Sequence, residues 1–148
     1  MKKKEKKVLI FLILGLVVLD QAIKIGMKYA NKININTESK DNLQYILISI
    51  IAIMALLRYI NSKNLYIKLD SRIVLSFAIA GVIGNLIDRI FRGYVANYIN
   101  IPGFAWLNLS YIYILIAWVG MSAILTGYTR NRLREKKIEN EIKNKGRK

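Results

Sequence analysis

Asp20 and Lys24 stand four residues apart, which on a helix puts a carboxylate and an ammonium on one face in the favourable acid-before-base order. Further along, Asn85, Asp88 and Arg89 follow at offsets of three and four and form a second polar face. Carboxylates can exchange protons with water or a substrate, and amides and cations can hold a peptide or a developing charge. The chain has no histidine and no cysteine, which excludes Ser-His and Cys-His nucleophiles, thiolate metal ligands and disulfides. The spacing of the remaining acids provides no metal-ligating set, and no cofactor is called for. Any chemistry must come from carboxylates, amides, hydroxyls and amines.

These groups are embedded in apolar sequence. Among 148 residues, 54% are hydrophobic and a single proline occurs, more apolar surface than a soluble domain of this size can hide. Apolar blocks run over Val8–Leu19, Leu43–Leu57, Ile73–Ile87 and Leu107–Leu125, and the first resumes after Asp20 and Gln21 as far as Ala30, with Lys24 and Lys28 able to snorkel. Each reads as a membrane-spanning helix. The polar stretch Gly81–Ile99 then sits at the boundary of the third. Ionisable groups at that depth face a bundle interior or a water-accessible cleft, since lipid does not tolerate them. Asp20, Lys24, Asp88 and Arg89 are therefore expected to share one buried network. Gly81 and Gly84 lie on nearly one side of the third helix and allow another backbone to approach.

The net charge of +15 does not indicate nucleic acid, because the basic residues flank apolar runs instead of lining a soluble face. They read as topology signals. Residues 1–7, the 58–72 connector and the tail from Arg130 carry 18 Lys and Arg, against 6 elsewhere. This predicts cytoplasmic termini, with residues 31–42 and 92–106 outside. The start, "MKKKEKKVLIFLILGLVVL", has a signal-peptide look, but Asp20 and Gln21 occupy the place where small residues would permit cleavage, so an uncleaved span is expected. Tyr94, Tyr98, Phe104 and Trp106 read as an interfacial aromatic belt. The tail carries Leu133, Ile138 and Ile142 at loose helical spacing and reads as a solvated basic segment against anionic lipid, with a partner-binding helix as the alternative. The expected organisation is a basic N-terminus over 1–7, a membrane domain over 8–128 and a basic tail over 129–148.

Three sequence blocks resemble the lipoprotein signal peptidase family, signal peptidase II. They are D-Q-x-x-K at the end of the first helix (Asp20, Gln21, Lys24), G-x-x-G-N-x-x-D-R on the third (Gly81, Gly84, Asn85, Asp88, Arg89) followed by G-Y-V (Gly93–Val95), and an asparagine, Asn108, at the mouth of the fourth. The resemblance covers roughly Val8–Gly127. It implies an all-α plasma-membrane protein of four transmembrane helices, both ends inside, with a small extracytoplasmic β and loop subdomain, and an aspartic endopeptidase as the ancestral activity. It also implies a site frame of Asp20, Lys24, Asn36, Asn85, Asp88, Arg89 and Asn108.

The family's chemistry uses two aspartates that share a proton, one as base on a water and one as acid on the carbonyl. The first family position, after G-Y-V, reads Asn97 here, and the second, after the asparagine of the fourth helix, reads Tyr111. Asn97 has no titratable proton, and a phenol titrates near 10. The first outer loop departs as well: where the family has a glycine and an apolar pair, this chain has Thr37-Glu38-Ser39-Lys40-Asp41 after Asn36, and the double glycine of the third helix is Ala80-Gly81. The expectation is a non-catalytic homologue that binds a lipoprotein signal peptide or another single-span helix in the bilayer. The alternatives are an active peptidase with a variant site and an accessory structural subunit.

Overall fold

The structure, a computed structural model, describes residues 3–30, 32, 34–35, 42–62 and 69–145. Its order is α1 (Lys3–Tyr29), β1 (Asn34–Ile35), α2 (Asn42–Ile60), α3 (Leu69–Arg92), β2 (Ala96–Asn97), β3 (Ile99–Ile101), β4 (Ala105–Leu107) and α4 (Leu109–Lys145). Four helices are long and apolar enough to cross a membrane. Large apolar side chains such as Phe11, Val18, Leu43, Ile51 and Trp118 stand on their outer faces, more than half exposed. In water such a surface would be untenable; in a bilayer it meets lipid tails, while the amides of the helix interiors are paired within their own segments. The chain is a multi-pass membrane protein.

The expected second and third spans lie inside α2 and α3. The fourth begins two residues late, because Ala105–Leu107 is drawn into a hairpin with Ile99–Ile101 before the helix starts. That hairpin closes through Ile101-Pro102-Gly103-Phe104. Pro102 sets the first corner and Gly103, at φ 74°, takes the left-handed second corner, while the Phe104 N–H donates to the Ile101 carbonyl at 3.0 Å. Gly93, at φ 75°, ends α3 in the same left-handed region and turns the chain back towards β2. β2 pairs antiparallel with β1, Asn34 opposite Asn97 and Ile35 opposite Ala96.

Helix α3 is the central element and packs against α4, α1 and α2. One end of the bundle is closed by Leu9, Ile60, Leu75 and Ile79, with Ile13, Leu56, Ile83 and Met121 packed around them. There Arg72, almost wholly buried, pairs with Glu5 at 3.5 Å and ties the start of α1 to α3. Towards the other end, α3 and α4 touch backbone to backbone. A Cβ on Gly81 would press on the Ser110 carbonyl oxygen and lie 2.8 Å from Ile114 Cγ1, so only glycine allows this approach. Helix α4 continues unbroken past residue 128 to Lys145. Its 37 residues span about 55 Å, well beyond a hydrocarbon core of about 30 Å, so its basic final turns project from the membrane.

Candidate functional site

The site assembles where α1, α3, β2 and the start of α4 converge. Asp20, Gln21 and Lys24 come from one face of α1 because their offsets of one and four keep them on adjoining turns. From α3 come Gly84, Asn85, Asp88 and Arg92, spaced by one to four residues along the face that meets α1 and α4. Asn97 arrives on β2, and Asn108 and Ser110 stand at the entry to α4. Asp20, Lys24, Asn85, Asp88, Asn97, Asn108 and Ser110 are all buried.

Lys24 is the electrostatic centre. Its Nζ lies 2.7 Å from Asp20 Oδ2 and 3.0 Å from Asp88 Oδ2, with Asn85 Oδ1 at 3.2 Å and Ser110 Oγ at 3.4 Å. Arg92 pairs with the other oxygen of Asp88. Two carboxylates and two cations sum to zero, the condition under which buried charge is tolerable. The remaining acceptor capacity is filled as well. Asp20 Oδ1 receives the Ser110 N–H at 3.0 Å, Asp88 Oδ2 receives the Ala96 N–H at 3.1 Å, and Gln21 Nε2 bridges Asp20 Oδ2, Asp88 Oδ1 and the Gly84 carbonyl at 3.0 to 3.2 Å. Gly84 makes room for this arrangement: a Cβ there would sit 2.6 Å from Asp20 Oδ2 and collide with Ser110 Oγ.

An amide layer covers the charges. Asn108 Nδ2 is within donor distance of Asn97 Oδ1 at 2.9 Å, Asn85 Oδ1 at 3.0 Å and the Ala96 carbonyl at 3.1 Å. Its Oδ1 accepts the Tyr111 N–H at 3.0 Å, so Asn108 is also the N-cap of α4. Asn108 thus ties Asn97 on β2 to the first turn of α4, the one by its side-chain nitrogen and the other by its oxygen. The Tyr111 side chain is half-buried on the first turn of α4.

Two expectations need adjustment. Arg89 does not join the ion network. Residues 88 and 89 diverge by 100° around the helix, and the Arg89 guanidinium lies 5.2 Å from the centre of the Tyr45 ring on α2, with one nitrogen 3.4 Å from the Asn85 carbonyl. The second cation is Arg92, one turn beyond Asp88, and the four-residue rule that pairs Asp20 with Lys24 would have found it. Tyr98 does more than line an aromatic belt: its hydroxyl accepts the Leu109 N–H at 3.1 Å and completes the cap of α4. Burial pushes its phenol above the ordinary 10, against the Leu109 hydrogen bond and with help from the charges of Asp20 and Asp88. Phe104 and Trp106 keep the exposed positions on the hairpin that a belt requires. Asn36 and the charged 38–41 loop lie outside the described residues.

Chemically, the arrangement is a frame. Lys24 and Ser110 resemble an amine and a nucleophile, yet an ammonium paired with two carboxylates offers Ser110 a donor and no lone pair. Among the described residues no cluster of acids is suited to a metal ion.

Comparison with known proteins bears on the family and the fold. The family model described as signal peptidase (SPase) II matches residues 33–127. A lipoprotein signal peptidase of Wigglesworthia glossinidia brevipalpis is 42% identical over 69 residues, 47% of this chain and 45% of that protein, so the match spans less than half of the relative. Two solved chains, each described as a bacterial membrane enzyme structure obtained by the in meso method, superpose with TM-scores of 0.71 and 0.67 at 21% and 20% identity. They cover 84% and 80% of this chain and 91% and 92% of their own, and they establish a common fold.

Proposed function

The chain belongs to the signal peptidase II family, and from that premise we propose that it holds a lipoprotein signal peptide, or a similar single-span peptide, without cleaving it. The observation that carries this reading is the chemistry at the two dyad positions. Asn97 is a buried amide whose oxygen is taken by Asn108, and Tyr111 is a phenol on the first turn of α4. Neither takes a proton from water near neutral pH.

The remaining acids of the site give no substitute. Asp20 is bound by Lys24, Gln21 and the Ser110 N–H; Asp88 is bound by Lys24, Arg92, Gln21 and the Ala96 N–H. A carboxylate so occupied serves as scaffold, and activating a water would require it to release these partners. Asp20, Lys24, Asn85, Asp88 and Asn108 are read as the frame, and Arg89, set on Tyr45 beside it, as a cation at its margin. Asn36 belongs to the same proposal on its motif alone.

In this reading the membrane domain covers 8–128 between a basic N-terminus and the tail from 129, in the plasma membrane with both termini cytoplasmic and the two small β-sheets outside. Cysteine accessibility at Ser62 and Phe104 tests the orientation: labelling from outside is expected at Phe104, and labelling at Ser62 would reverse it. The function is tested by incubating the reconstituted protein with a diacylglyceryl-modified peptide bearing a lipobox. The peptide is expected to co-sediment with the proteoliposomes and to stay intact on a gel. Cleavage sensitive to an inhibitor of the family would overturn the reading.

A further inference from the structure

At the end of α1 and α3 nearest the site, a cavity of about 510 Å³ opens between Ile25, Lys28, Tyr29 and Arg92. Its position follows from the helix repeat. Asp20, Lys24 and Lys28 are successive steps of four on α1, and Asp88 and Arg92 are such a step on α3, so the cavity lies one turn beyond the buried ion network. Lys28 stands about 30 Å along α1 from Val8, one hydrocarbon thickness, which places it at the depth of lipid headgroups.

The charge balance there differs from that of the network below. Asp20, Asp88, Lys24 and Arg92 cancel one another, whereas Lys28 is exposed and, among the described residues, no carboxylate lies within ion-pair distance of it. Arg92 contributes as well. One of its terminal nitrogens is fixed by Asp88, which orients the guanidinium, and among the described residues no other side chain pairs with its remaining N–H groups at the cavity wall. The other wall is apolar and faces outward, with Ile25 46% and Tyr29 86% exposed. A lining of two cations and an aliphatic and aromatic wall, in a volume typical of small-ligand sites, matches a phosphodiester joined to a glycerol and the top of an acyl chain.

We infer that this cavity binds the headgroup of an anionic phospholipid from the adjoining leaflet, with Lys28 and Arg92 on the phosphate and Ile25 and Tyr29 against the glycerol and upper acyl carbons. The inference rests on the cavity alone and does not depend on the peptide-binding reading. It would place a bound lipid at the lip of the site, where it would border any peptide held beside Asp88 and Asn97.

The test uses the purified full chain in detergent, exchanged into micelles containing dioleoylphosphatidylglycerol or dioleoylphosphatidylcholine, with retained lipid counted by native mass spectrometry. Phosphatidylglycerol is expected to be retained over phosphatidylcholine, and Lys28→Ala to lower its retention about fivefold, the worth of one basic residue near a charged lipid surface. Lys32→Ala, which removes an equal charge just beyond the helix without touching the cavity, is expected to leave retention unchanged. Equal loss in the two variants would mean a diffuse field in place of a site. No loss in Lys28→Ala, or equal retention of the two lipids, would overturn the inference.

Discussion

The side-chain amide of Asn108 donates to Asn97 Oδ1 at 2.9 Å, while the Asn108 oxygen caps α4 through the Tyr111 N–H at 3.0 Å. One residue thereby ties β2 to the first turn of α4.

The consequence for stability is measurable. Asn108→Ala removes the helix cap and the donor that three buried oxygens share, and it should cost about 2 to 4 kcal/mol, with cap and unsatisfied acceptors together. Asn108→Asp should retain the cap and still destabilise, because it loses the N–H donors. Thermal unfolding followed by tryptophan fluorescence in detergent separates the two: a melting temperature for Asn108→Asp equal to that of the parent would show that the donor role is unimportant.

Within the ion network, Lys24→Met should be severe and Arg89→Ala mild. The first leaves Asp20 and Asp88 buried with only Arg92 as counter-charge, a loss of about 3 to 5 kcal/mol. The second removes a contact with the face of Tyr45, worth about 0.5 to 1 kcal/mol at a partly exposed position. Comparable losses in the two variants, measured by denaturant titration in mixed micelles, would place Arg89 back inside the network.

Gly84→Ala and Gly15→Ala form a matched pair on two helices. At Gly84 the new methyl would meet Asp20 Oδ2 and Ser110 Oγ, whose positions are held by Lys24 and Gln21, and overpacking should cost about 1 to 3 kcal/mol. At Gly15 no described residue beyond its own helix turn lies within 4 Å of the added methyl, so alanine should be neutral or slightly stabilising through helix propensity. The ranking of melting temperatures is the readout, and a neutral Gly84→Ala would contradict the close α3 to α4 approach.

Introducing carboxylates at positions 97 and 111 tests the proposed loss of cleavage. Asn97→Asp alone and Tyr111→Asp alone should leave a lipobox peptide uncut, because a shared proton needs two acids. The double variant should show slow cleavage on a gel, since Asn108 still holds both positions in register. Cleavage by either single variant would mean that one acid suffices, with Asp20 or Asp88 as its partner.

The sequence by itself determined the four spans and most residues of the buried polar network. These follow from local rules: apolar length sets a span, a four-residue step sets a helix face, a glycine after the last turn ends a helix, and Pro-Gly closes a hairpin. Asp20, Lys24, Asn85, Asp88 and Asn108 were legible for that reason as polar residues set in apolar sequence, and the structure buries all five. Only the tertiary structure decided which charges meet. Asn85 shares a face with Asp88 and with Arg89, and spacing along one helix does not tell which of them turns towards α1 and which towards α2. The packing of α3 against three neighbours puts Asp88 on Lys24, Arg89 on Tyr45 and Arg92 on Asp88. The roles of the Ser110 and Ala96 N–H groups and of the Tyr98 hydroxyl were equally invisible, because a buried carboxylate takes its donors, and the first N–H of a helix its acceptor, from whatever groups the fold brings within reach, and residue spacing carries no record of it.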